Sequence, residues 1–160
     1  MISRIINFVG RSTSWLSFLL VILIFVNVVL RYFFDHSSAW ITELEWHAFA
    51  LIFLLSASYT YKADQHVRVD LFYTKFSKKK KAWVNIIGDL IFLLPWCIII
   101  FYTSFKYAHH AFVIGETSAE PEGLSFRFLI KGSIALGFLL LFLQGIDNLI
   151  KNIKLILNKD

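Results

Sequence analysis

Between residues 26 and 70 the chain places polar side chains where a membrane tolerates them least. Asn27 and Arg31 sit in the last turns of one apolar run. Trp40, Glu43, Glu45 and His47 sit in the first turns of the next, and His66, Arg68 and Asp70 follow it. In low dielectric such groups can pair charges, relay protons or hold a polar ligand. If both runs are helices joined at 35–39, Arg31 lies about one turn from the end of the first. Glu43 lies about one turn into the second. An antiparallel hairpin brings them to similar depth, so an Arg31–Glu43 or Arg31–Glu45 pair is geometrically reasonable. A lone charge there costs far more than a paired one. The alternative is also open: Arg31 snorkels to the surface and both carboxylates stay hydrated.

The elements that must position these residues are membrane helices. Of the 160 residues, 58% are hydrophobic and 18% aromatic, with a mean hydropathy of +0.65. Soluble domains run at about 45–50% apolar, and here the apolar residues come in blocks. The net charge of +5 is segregated, so it speaks of orientation in a membrane and not of nucleic acid. The single cysteine, Cys97, cannot form an internal disulfide, and its place in an apolar run suits a small hydrophobe. No Cys or His spacing suggests a metal or cofactor site.

Four spans are expected, at about 13–34, 40–61, 83–105 and 126–150, because roughly 20 residues cross a bilayer core. Span 1 is too long for a signal sequence and ends in Arg-Tyr-Phe-Phe, so it reads as an uncleaved membrane helix. Span 2 is cleanly apolar only over 48–61. Its first turns either enter the membrane against a partner or belong to a tilted, partly interfacial helix. Thr42-x-x-Glu45 matches a capping box, and Ser56-Ala57-Ser58 offers a patch for close helix approach. Residues 67–81 mix apolar and basic side chains, with Val69, Phe72 and Phe76 at helical spacing, and read as a short amphipathic helix on the membrane surface. A solvated basic loop is the alternative there.

Span 3 contains Asp89 near its start and Pro95 at its middle, where a kink is expected. A proton or ion role for Asp89 stands beside a plainer one, contact with a polar neighbour. Residues 106–125 form the longest outward loop, with His109, His110 and a run of acids, at no recognised ligand spacing. Span 4 carries Ser133-x-x-x-Gly137, a small-residue packing face. Twelve Lys and Arg residues lie in 1–12, 62–82 and 151–160. That bias puts both termini on the cytoplasmic side of an all-α, four-span, single-domain membrane protein.

The ordered set Asn27-x-x-x-Arg31-Tyr32, Trp40-x-x-Glu43-Leu44 and His66-Val67-Arg68-Val69-Asp70 resembles the small membrane subunit of tripartite ATP-independent periplasmic (TRAP) transporters. Gly115-Glu116-x-Ser118 and Leu136-Gly137-Phe138 continue the likeness over nearly the whole chain. One departure is Leu54-Leu55-Ser56-Ala57, where the family usually carries a Gly-Ala pair. The resemblance implies a multi-pass protein of the bacterial inner membrane. It implies a non-catalytic scaffold for a large, elevator-type transport subunit that carries the sodium and transport sites. A soluble periplasmic substrate-binding protein would join transiently, and the substrates would be small organic acids. On that reading Asn27, Arg31, Trp40, Glu43, Glu45, His66, Arg68 and Asp70 shape the hairpin and its contact with the large subunit or with membrane phospholipids.

Two other classes compete. A b-type cytochrome needs facing axial histidines at one depth, and only His47 lies clearly within a span. A self-sufficient, homo-oligomeric small exporter would use Glu43 or Glu45 as its coupling residue, but both lie at an interface, and the lysine run 78–81 has no place in so compact a design. The cytochrome is the enzyme-class alternative; the sequence is read here as no enzyme and as holding no cofactor.

Overall fold

A computed structural model describes residues 2–64 and 73–157. The regular elements of the described residues are all helical: α1 (Ile2–Phe33), α2 (Ala39–Lys62), α3 (Lys78–Gly88), a π-helical turn (Asp89–Leu93), α4 (Leu94–Val113) and α5 (Arg127–Leu157). α3, the π turn and α4 form one uninterrupted rod, Lys78–Val113, so there are four helices long and apolar enough to cross a membrane. The expected surface segment, 67–81, falls partly outside the described residues. Its lysine run 78–81 forms the first turn of α3, and Ser77 caps that turn by accepting from the Lys80 amide.

The helices stand in an open row, α1–α2–α5–α4. α1 packs chiefly on α2 and more lightly on α5, α2 packs on α5, and α5 on α3 and α4. The chain direction makes α2 and α5 parallel neighbours at the centre and α1 and α4 the outer members. A row has two faces, and α5 is the most buried of its helices. Along α1, the π turn and α4 large apolar side chains such as Phe8, Trp15, Phe25, Phe92, Trp96 and Phe105 are exposed. That is the surface of a membrane protein, since hydrocarbon solvates such side chains as well as a protein core does.

The row is held by small residues where backbones approach and by hydrogen bonds near both ends. A Cβ on Gly137 of α5 would lie 2.9 Å from the Leu54 carbonyl oxygen of α2. The departure at 54–57 thus has a structural counterpart, because α5 supplies the small residue at the α2–α5 crossing. Ser133, one turn earlier, is buried on the same face, as the small-residue spacing predicts. The α1–α2 hairpin is pinned at one end by Asn27 Nδ2 donating to Glu45 Oε1 at 2.8 Å. At the other end Lys62 Nζ donates to Ser3 Oγ and Asn7 Oδ1, each at 2.6 Å. In between, Gly10 lies against the Tyr59 ring.

Pro95 acts through the turn before it. Proline has no amide hydrogen to return to the carbonyl four residues back, and the helix widens just upstream, where the Leu94 amide reaches the Asp89 carbonyl. This π turn sits where Gly145 of α5 lets Leu93 and Leu94 approach. We predict that Gly137→Leu lowers stability by about 1–3 kcal/mol through overpacking against Leu54. Gly132→Ala, whose added methyl would sit 3.9 Å from Ala108, should be neutral or better. Thermal unfolding in detergent compares the two.

Candidate functional site: a carboxylate-centred clamp at the loop end

At the end of the row that carries the 34–38 and 114–126 connections, Glu43 is 6% exposed. It lies one turn into α2, on the face turned to α5. One oxygen, Oε1, accepts from the Ser118 hydroxyl and from Arg127 Nη2, the latter at 3.1 Å. The other, Oε2, accepts from the Leu124 amide at 2.6 Å. A single carboxylate therefore joins α2, the long connection and the first turn of α5. Charge-assisted bonds of this kind are about twice as strong as neutral ones.

The connection folds to suit it. Gly115, at φ +62, ends α4 with the paired bonds of a Schellman turn: Glu116 N–H to Ala111 O at 2.9 Å and Gly115 N–H to Phe112 O at 3.1 Å. Glu116 then meets Lys131 Nζ at 2.5 Å, while that ammonium lies 3.8 Å from the centre of the Tyr107 ring. Ser118 and Leu124 are tied by an amide–carbonyl bond of 3.2 Å. Gly123 must be glycine, because a Cβ there would sit 2.3 Å from Ser118 and 3.0 Å from Glu43 Oε2. The outward loop is thus a folded cap, and it is shorter than expected, since His109 and His110 lie on α4.

Neither expected partnership of Arg31 occurs. Arg31 is exposed, its guanidinium 5.2 Å from the Tyr32 ring, which is the snorkelled alternative. The reason is helical phase. Glu43 and Glu45 are two residues apart, about 200° around α2, so one faces Arg127 of α5 and the other faces Asn27 of α1. The capping box is not made either. Ser38 precedes α2 without a side-chain cap, and Glu45 is held by Asn27. Trp40 is exposed, and His66, Arg68 and Asp70 lie outside the described residues. His47 Nδ1 donates to the Glu43 carbonyl, 2.5 Å away, and the ring stacks on Trp46.

Sequence reading missed Arg127 and Ser118 as members of the site. The available signal was position: Arg127 opens its helix as Glu43 does, at the same end of a parallel pair. A second cluster lies toward the end that carries the termini. Asp89, 3% exposed, accepts from the Tyr61 hydroxyl and, at 2.8 Å, from Asn148 Nδ2, which also reaches Tyr61 at 3.0 Å. This is the polar-neighbour reading of Asp89, and it ties α2, the π turn and α5.

In both clusters the carboxylate is engaged by hydrogen-bond donors from other elements of the chain. Among the described residues no group of three or more His, Cys, Asp or Glu side chains is placed to hold a metal ion. The arrangement suits fixing helices and presenting a folded surface. We predict that Glu43→Ala frees the cap: a cysteine introduced at Glu122 should react with a soluble maleimide about tenfold faster. The same change at Glu45 should leave that rate within about twofold.

The comparisons agree with the architecture. The family described as "Tripartite ATP-independent periplasmic transporters, DctQ component" matches residues 20–155. A Haemophilus influenzae protein named as a TRAP transporter small permease is 26% identical over 123 residues, covering 77% of this chain and 76% of its own length. The matched region takes in the second part of α1, all of α2 to α4 and nearly all of α5, with the clamp and the Asp89 cluster. This chain belongs to the DctQ component family of TRAP transporters, and is a multi-pass protein of the bacterial inner membrane.

Proposed function

We propose that the chain is the non-catalytic scaffold subunit of a sodium-coupled, binding-protein-dependent importer of small organic acids. Both termini lie in the cytoplasm, and the clamp faces the periplasm. Its task is to brace a larger, elevator-type transport subunit and to lie beneath the soluble binding protein when substrate is delivered. The observation that carries this reading is the open row, whose buried carboxylates Glu43 and Asp89 are engaged by donors of the same chain. Between the two clusters, Ser104 and Ser133 donate to carbonyls of their own helices, at Ile100 and Ile130. No chain of polar side chains crosses the membrane among the described residues. A transporter acting alone needs such a path; a brace does not.

The uncovered faces support a membrane partner. A cleft of about 1020 Å³ opens between α2, α4 and α5, walled by Leu51, Phe101, Phe105, Leu129 and Leu136. A large transport subunit, with phospholipid filling the remainder, would complete that surface. The exporter reading weakens on the same geometry. Its coupling carboxylate must exchange protons or ligands, whereas Glu43 is engaged by three donors and Glu45 by one.

Mild-detergent purification of the tagged chain from its native membrane should bring down one much larger polytopic protein in equal amount. Proteoliposomes holding both, supplied with the soluble binding protein, should take up organic acid on a sodium gradient. Omitting this chain should reduce uptake at least tenfold. A homo-oligomer that transports alone would overturn the proposal.

A further inference from the structure

We infer that the cavity beside the clamp is a socket for a lysine or arginine side chain of the soluble protein that docks on this face. The inference rests on the orientation and partnership proposed above and adds the chemistry of the contact. The cavity has a volume of about 490 Å³ and is lined by Ser37, Ser38, Thr42, Trp46, Glu120 and the Glu43–Arg127 pair. That is within the size range of small-ligand sites, about 300–1,000 Å³, and is ample for one long side chain.

Three observations select the occupant. The first is charge. Arg127 is matched by Glu43, which leaves Glu120 as an uncompensated carboxylate on the lining. Exposed Asp35 and Glu122 extend the negative character of the same face. Of the cations at this end, Arg127 pairs with Glu43, Lys131 pairs with Glu116, Lys106 lies over the Tyr102 ring, and Arg31 is exposed beside the Tyr32 ring and is not on the cavity lining. The second is a vacant acceptor. Ser38 is 3% exposed, and its hydroxyl has no hydrogen-bond partner among the described residues. It lies on the cavity wall and does not cap its own helix. Native interiors rarely leave such a group unpaired. An ammonium or guanidinium held between the Ser38 hydroxyl and the Glu120 carboxylate would satisfy both.

The third observation favours a polypeptide over a free amine. Arg127 Nε is also buried with no partner among the described residues, and it is a donor in need of an acceptor. A protein segment brings a basic side chain and main-chain carbonyls together. An anionic headgroup would add negative charge beside Glu43 and Glu120. Neutral hydrogen bonding combined with a single cation is what the lining accepts. Trp46, whose ring already lies 5.9 Å from the Arg127 guanidinium, forms the apolar wall.

The test uses the complete membrane complex, this chain with its large subunit, in nanodiscs. The probe is the soluble binding protein of the same transporter, and the readout is its Kd at low salt by surface plasmon resonance. Glu120→Lys is the informative change, because the main chain there is held by the Ser118 hydroxyl on the Glu120 amide and the side chain is exposed. Its Kd should rise about tenfold or more, since a like charge is set against the incoming cation. Glu122→Lys, on the same loop but outside the cavity, should raise it by less than about threefold. Ser38→Val should weaken binding in the same direction as Glu120→Lys, by a smaller factor. Equal effects of Glu120→Lys and Glu122→Lys, or no effect of either, would overturn the socket while leaving binding-protein dependence intact. No binding to the unmodified complex would overturn both together.

Discussion

A carboxylate withdrawn from water must be met by donors in number, and Glu43 shows what that requirement does to a small membrane protein. Its two oxygens need a hydroxyl, an amide and a guanidinium at once. No single helix can provide these, so the α4–α5 connection has to fold back over α2, and α5 has to begin where it does. Gly115, Gly123 and the turn at Ser118 follow from that demand. Remove the carboxylate and the segment keeps its turn at Gly115 and the Glu116–Lys131 pair, but loses its tie to α2. The same logic operates in smaller form at Asp89, where a tyrosine and an asparagine from two helices converge.

These clusters lie toward opposite ends of the row, and the apolar middle is joined by shape alone. Gly10, Gly137 and Gly145 admit a ring, a backbone and a pair of leucines. This division suits a bilayer. Apolar side chains gain little from each other when lipid is as good a neighbour, so close backbone contact decides which helices associate. Hydrogen bonds near the ends then fix register and tilt. The result is a rigid plate with two faces, a form that braces a neighbour well and encloses a solute poorly.

Much of this was legible in the sequence. The apolar blocks gave the four spans, and the order of weak motifs pointed to the family. The Ser133–Gly137 spacing marked a real packing face. What could not be read was which helices are neighbours. The short 35–39 break makes α1 and α2 an obvious hairpin, and that proximity favoured an Arg31–Glu43 pair. The competing partner, Arg127, is distant in the chain and became adjacent only because α2 and α5 run parallel at the centre. Helical phase did the rest by turning Glu45, not Glu43, toward α1. The capping box failed for a related reason: a glutamate with an asparagine across the hairpin is no longer free to cap its own helix. The folded cap was hidden because its organiser lies outside it, on α2.

The central pairing also bears on biogenesis. Glu43 and Arg127 are separated by 84 positions. At about 5–20 residues per second, the partner emerges roughly 4–17 s after the acid. During that interval the first hairpin is complete in itself, pinned by Asn27–Glu45 and by Lys62, yet its Glu43 has no counter-charge from its own chain. Water at the lipid headgroups must hold that carboxylate until the fourth helix is released by the insertion machinery. Nascent chains cut short before α5 should be surplus material for membrane quality control, since they carry an ionised group and an uncovered glycine-receiving groove that only the last helix can close.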